Sequence, residues 1–388
     1  MKKEEKIKIL QDLVKINSVN GNEREISDYL SNLLNKYGIK HEIFPFVDDE
    51  NRSNLIIEIG EGRTDQVFGL TGHQDTVAVT DELAWKYSAF SGTIEGDFLY
   101  GRGAADMKSG LAAEVIALIE LVEKQQIPSG KVRLIITAGE EFGAPGAYKI
   151  NPKLIEDLDA LIVGEATNGN VKYAHSGSFN YRINSIGKSV HSSVPNQGIN
   201  AIEGLVAYIN DEGRVFSDLP VDEILGNVQH SITVIEGGKQ INTIPGHAYL
   251  LGNVRPTPTF NNKQVRSLIE KTITKINQET DYQLKFELLH DFYPIRTLTN
   301  NSLVENAYQA SKEFYPDRDI KLFTDNGATD ASVFVQIKPD LPVIILGPDS
   351  NGSAHQINEH TSLSSYLATI DIYQKIINEF FANKKGAR

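Results

Sequence analysis

Short apolar runs of strand length alternate with helix-period stretches along most of this chain, and several of those runs end in a histidine or an acid. Val67–Thr71 leads into Gly72-His73-Gln74-Asp75, Val132–Thr137 into Gly139-Glu140-Glu141, and Ala160–Val163 into Gly164-Glu165. Val343–Leu346 leads into a loop that reaches His355. Apolar runs this short, each bounded by turn residues, predict strands buried on both faces, and the helical stretches between them predict the covering layers of an α/β fold with a mostly parallel sheet. Further strands are expected at His41–Phe46 and Asn54–Ile59, and helices at Glu23–Tyr37, Lys108–Lys124 and Leu363–Phe381. In an open parallel sheet, ligands sit at the carboxyl ends of the strands. Four strands therefore aim His73, Glu140, Glu141, Glu165 and His355 at one rim, and Asp106, just before a helix, reaches the same place.

Between these parts the pattern changes. Phe179–Ile186, His230–Ile235, Ala248–Val254 and Leu284–Leu289 read as strands, with helices at Ala201–Ser217 and Lys263–Gln278. That βαββαβ order is a ferredoxin-like unit. The expected organisation is a catalytic domain of residues 1–177 and 293–388, with an inserted lid or dimerisation domain of residues 178–292.

Composition narrows the chemistry. The 388 residues contain no cysteine, so disulfides, thiolate metal sites and cysteine nucleophiles are all excluded. Any metal must be held by His, Asp and Glu. The net charge of -13 is unsuited to nucleic acid or anionic lipid, and no basic cluster offsets it. The charged start, Met1-Lys2-Lys3-Glu4-Glu5-Lys6, has no apolar signal core, and no apolar run is long enough for a membrane span. A cytoplasmic protein is expected.

Two histidines and several carboxylates on one rim form a donor set suited to zinc in an open site. So many acids would repel one another unless cations neutralised them. Two metals sharing a bridging carboxylate would use them all. A lone histidine is usually a core or surface residue, and His41, His230, His247 and His290 are read that way. Gly101-x-Gly103 is no dinucleotide loop, because Asp106 stands where the third glycine belongs. The chain has no Gly-x-Ser-x-Gly elbow and no His-Glu-x-x-His.

On these motifs, in order and spacing, the whole chain resembles the zinc-dependent family of aminoacylases, succinyl-diaminopimelate desuccinylases, acetylornithine deacetylases and glutamate carboxypeptidases. The resemblance implies two zinc ions, with cobalt able to substitute. Asp106 would bridge them, His73 and Glu165 would complete one site, and Glu141 and His355 the other. It makes Glu140 the general base and Asp75 the carboxylate that orients His73. His191, in Ser189-Val190-His191-Ser192-Ser193, corresponds to a histidine delivered to the active site, often from a partner subunit. Asn242 and Arg255 resemble contacts to a substrate carboxylate, and Thr329 lies in a segment resembling another substrate-lining loop. Gly164-Glu165-Ala166-Thr167 departs by one residue from the family's Gly-Glu-Pro-Thr but keeps the acid. A cis peptide between Asp106 and Met107 is also implied. The expected activity is hydrolysis of an amide in a small carboxylate-bearing N-acyl amino acid or peptide by a homodimer. N-succinyl-diaminopimelate is the first choice of substrate. Acetylornithine, other N-acyl amino acids and peptides are the alternatives, and an idle binder of such compounds or of metal is the reading of another class. The intact Glu140 argues against that last one.

Overall fold

The computed structural model describes residues 1–350 and 352–382. The chain folds as two units: Met1–Tyr173 with Arg296–Phe323 and Thr329–Arg388, and Ala174–Ile295 with Thr324–Ala328.

The first unit is built on the predicted sheet. Four strands pair in parallel in the order Lys131–Thr137, Val67–His73, Ala160–Val163 and Val343–Ile345. All but the first residue of these four are buried, which is why they read as continuous Val/Ile/Leu runs rather than as alternation. Ser53–Ile59 adds to Lys131–Thr137 antiparallel, and His41–Pro45 pairs antiparallel with Ser53–Ile59. The register sets His73 beside Thr137, so the carboxyl ends of neighbouring strands finish level.

The helix Ser109–Glu123 is enclosed on every side through Leu121, including Glu114 and Glu120, which are only 0% and 2% exposed. Apolar residues of the closing helix Leu363–Ala382 and of Ser302–Phe314 share its hydrophobic core. Gly110 is what lets this helix lie so close to the sheet. A Cβ there would stand 1.7 Å from the carbonyl oxygen of Gly164, beside Glu165. The Asp106–Met107 peptide ahead of this helix is cis.

The second unit is an antiparallel sheet in the order Gln229–Gly237, His247–Arg255, Ser178–Ile186 and Gln283–Phe292. Here the strands alternate buried and half-exposed residues, the mark of a sheet covered on one face. Phe179, Tyr181, Ile183, Leu250 and Val254 pack against apolar residues of the helices Ala201–Val215 and Asn262–Glu279. The second helix opens on a capping box, Asn261 with Gln264. The strand order and the two helices are those of the ferredoxin-like split motif. Thr324–Ala328, outside the range expected for the insert, groups with this unit.

Elements that sequence periodicity left unassigned in the first unit include the helices Ser302–Phe314 and Ala331–Ile337, and the small sheet formed by Thr93–Glu95, Phe98–Tyr100 and His360–Ser362. The small strands are three residues each, too short for a period to register. Among the described residues no helix is long and apolar enough to cross a membrane.

Candidate active site

The strand ends bring the sequence candidates of the first unit together. His73 is the last residue of its strand and Glu165 follows the strand Ala160–Val163 by two positions. Glu140 and Glu141 open a short 3-10 turn after Lys131–Thr137. His73 Nε2 lies 3.1 Å from Asp106 Oδ1 and 3.2 Å from Glu165 Oε1. On the other side, His355 Nε2 lies 2.6 Å from Glu141 Oε1 and 3.1 Å from Asp106 Oδ2. One imidazole nitrogen thus faces two carboxylate oxygens in each half, and Asp106 belongs to both. His73, Asp106 and Glu141 offer ligand atoms within 4.8 Å of one another. The set contains only nitrogen and oxygen donors converging from separate loops, and it fits divalent cations of the zinc type.

The electrostatics follow from crowding. Burial and the Asp106 carboxylate push Glu165 up to about 7. Burial likewise drives Glu140 well above the usual carboxylate range, with Asp330, Glu165 and Glu141 adding to it against the pull of His73. Burial disfavours a charged His73, yet Glu165 and Asp106 outweigh it and raise this imidazole. Asp106 and Glu141 raise His355 to about 10. Asp106, although half-buried, is held far down by His355 and His73.

Asp75 links the two halves of this arrangement. Its Oδ1 lies 3.5 Å from His73 Nδ1 and accepts the amides of Gly139 at 2.8 Å and Glu140 at 3.0 Å. Its Oδ2 accepts the Glu141 amide at 3.1 Å. The carboxylate therefore faces one imidazole and also fixes the turn that carries Glu140 and Glu141. The His73 ring further contacts the Asp75 carbonyl through Nδ1, at 3.0 Å.

The remaining candidates fall in two places. Thr329 is buried in the first unit, and its carbonyl accepts the Ser332 amide at 2.8 Å. His191, Asn242 and Arg255 belong to the second unit. There His191 pairs with Thr243 on a two-residue strand, and the Ser192 amide donates to the Asn242 carbonyl at 2.9 Å, so His191 and Asn242 are neighbours. The Ser193 amide donates to His191 Nδ1 at 3.2 Å. The Ser193 hydroxyl lies 2.8 Å from the same nitrogen. Arg255 ends its strand and donates from Nη1 to the Asn326 carbonyl at 3.3 Å.

Three residues of the neighbourhood were not singled out from sequence. Asp330 is 2% exposed, accepts the Thr137 hydroxyl, and is pushed up to about 6 by burial. Arg102 and Glu359 form a buried ion pair at 2.5 Å. Each stands beside a motif already read, but nothing in a linear sequence shows which side chain turns inward.

A parallel α/β sheet with histidines and carboxylates converging at its strand ends defines a hydrolase of the metallopeptidase and amidohydrolase class. The chain belongs to peptidase family M20/M25/M40, whose signature matches residues 69–379. It is 34% identical to a probable succinyl-diaminopimelate desuccinylase of Staphylococcus aureus strain MRSA252, over 98% of each chain. Its fold is similar to that of an M20-family metallo-carboxypeptidase from Sulfolobus solfataricus, with a TM-score of 0.79 and 19% identity over 97% of this chain and 99% of that one. The aminopeptidase PepT of Bacillus cereus gives a TM-score of 0.77 and 22% identity over 98% and 99%.

Proposed function

We propose that the enzyme removes succinate from N-succinyl-diaminopimelate, using two zinc ions held by His73, Asp106, Glu165, Glu141 and His355. The observation that carries the substrate is the 34% identity, over 98% of both chains, to a probable desuccinylase. The division of the Asp106 carboxylate between His73 and His355 supports the pair of cations.

Two cations in this set would polarise the scissile carbonyl and make an attacking water acidic enough to ionise near neutral pH. Glu140, beside the donor set and raised by burial, takes the proton of that water as it adds to the carbonyl carbon. The carbon–nitrogen bond then breaks, Glu140 passes the proton to the departing amine, and succinate and the free amine leave. Asp75 holds the turn bearing Glu140 in place through its three amide contacts. His191 donates a hydrogen bond to the developing oxyanion. Arg255 takes a substrate carboxylate through parallel hydrogen bonds, Asn242 assists it, and Thr329 lines the same site.

The reading includes a cytoplasmic homodimer in which the second unit serves as lid and contact surface. The test is a panel of N-succinyl-diaminopimelate, N-acetylornithine and dipeptides, with zinc or cobalt added and amine release followed. The succinyl compound should give the largest kcat/KM. A dipeptide or N-acetylornithine turned over faster would reassign the substrate and leave the chemistry intact.

A further inference from the structure

Arg102 and Glu359 are separated by 257 positions in the chain, yet they meet at 2.5 Å, with side chains 1% and 0% exposed. Glu359 uses its other oxygen, Oε1, to accept the amides of Ala105 and Asp106, each at 3.0 Å. The Glu359 carbonyl accepts the Gly101 amide at 2.9 Å. Arg102 reaches the opposite loop: Nη2 donates to the carbonyl of His355 and Nη1 to that of Gln356, both at 3.4 Å. Nη2 also meets the Ala78 carbonyl at 3.4 Å, and the guanidinium lies 5.3 Å over the Trp85 ring. The pair therefore grips the backbone of Asp106 from one side and that of His355 from the other.

The backbone of both residues needs such a grip. His355 has a left-handed φ of +63°, unusual for a residue with a side chain. Asp106 and Met107 have non-helical φ and ψ just ahead of the helix Ser109–Glu123. A buried ion pair is a poor device for stability alone, because desolvation offsets most of its attraction. An apolar pair would fill the same space. What apolar side chains cannot do is accept two amides and donate to three carbonyls.

We infer that Arg102 and Glu359 are the positioning pair that sets Asp106 against His355, and so fix the geometry of the half of the site formed by Asp106, Glu141 and His355. This rests on the reading of those residues as metal ligands. Neither member touches substrate. Outer partners that orient metal ligands typically govern about 10–100-fold in metal affinity. Asp106 is shared by the two halves, so both ions feel the pair; His355, whose backbone the pair also holds, belongs to one half only, so the ion at Glu141 and His355 feels it more.

The test is chelator-competition titration of zinc on the whole protein and its variants, with thermal unfolding measured alongside. Glu359→Gln keeps an acceptor for the Ala105 and Asp106 amides but faces Arg102 with no charge. Glu359→Leu removes both functions, and Arg102→Lys keeps the charge without the fork. The zinc held with His355 should weaken about tenfold in Glu359→Gln and Arg102→Lys, and about a hundredfold in Glu359→Leu, and the other zinc by less. The double variant Arg102→Met with Glu359→Met, which leaves no unpaired charge, should fold and still bind the zinc at His355 more weakly than the parent. If the folded variants bind two zinc ions with parental affinity and differ only in unfolding temperature, the pair is structural and the inference is overturned. If the parent itself takes up no zinc, the ligand reading fails, and the inference with it.

Discussion

Asp106 turns one carboxylate oxygen, Oδ1, to within 3.1 Å of His73 Nε2, and leaves the other to face His355 Nε2 at the same 3.1 Å. Both oxygens of this carboxylate are thus engaged with imidazoles. Its backbone is held, through the Asp106 amide, by Glu359. The arrangement separates two tasks: the side chain is given to the site and the main chain to the fold.

Glu140 is predicted to act on protons rather than as a ligand. Glu140→Gln should keep zinc content at the parental level and lower kcat by about 10²–10⁴-fold. Metal analysis beside steady-state kinetics checks this. Loss of metal comparable to that in Glu141→Ala would make Glu140 a ligand.

Asp75 accepts three amides and faces His73. In Asp75→Asn, whichever way the amide is turned, an NH2 group meets an N–H. The expected cost is about 1–3 kcal/mol in urea unfolding, together with zinc binding weakened about 10–100-fold. Unfolding and metal titration that both match the parent would remove Asp75 from the account.

Two helical glycines should respond to alanine with opposite sign. Helix propensity alone favours alanine by about 1 kcal/mol. At Gly213 a Cβ meets nothing within 4 Å, so Gly213→Ala should stabilise by about 0.5–1 kcal/mol. At Gly110 the added carbon would overlap the Gly164 carbonyl oxygen, and overpacking wins by about 1–3 kcal/mol or more. Because Gly164 precedes Glu165, Gly110→Ala should also weaken zinc binding. Denaturant midpoints of the two variants decide the signs.

His191 is exposed in the second unit, with Ser193 against its Nδ1. If it serves a site in a partner subunit, dissociating and reassembling Glu140→Gln with His191→Ala should restore activity toward half of the parental value per mixed dimer. A dimer in solution with no recovery on mixing would assign His191 to its own chain or to no catalytic role.

Much of this could be read along the chain, for physical reasons. The parallel strands are buried on both faces, so their composition announces them: Ala160–Val163 has the bounds expected, and Val67–His73 extends its run by two residues. The same strands end at the site, which made His73, Glu141 and Glu165 visible. Arg102, Asp330 and Glu359 were not, because their importance lies in contacts across the fold. Arg102 pairs with Glu359, 257 positions away, and Asp330 accepts from Thr137, 193 positions away. The grouping of Thr324–Ala328 with the second unit was hidden for the same reason. Short strands such as His360–Ser362 carry too few residues to show a period.

The central claim is a pair of metal ions divided by Asp106, and zinc titration of chelator-stripped enzyme tests it most directly. Zinc per chain would be measured against succinate release from N-succinyl-diaminopimelate at each step. The account predicts no release without metal, binding that saturates at two ions per chain, and loss of the pair in Asp106→Ala. Saturation at one ion, or full release in a rigorously metal-free preparation, would contradict it.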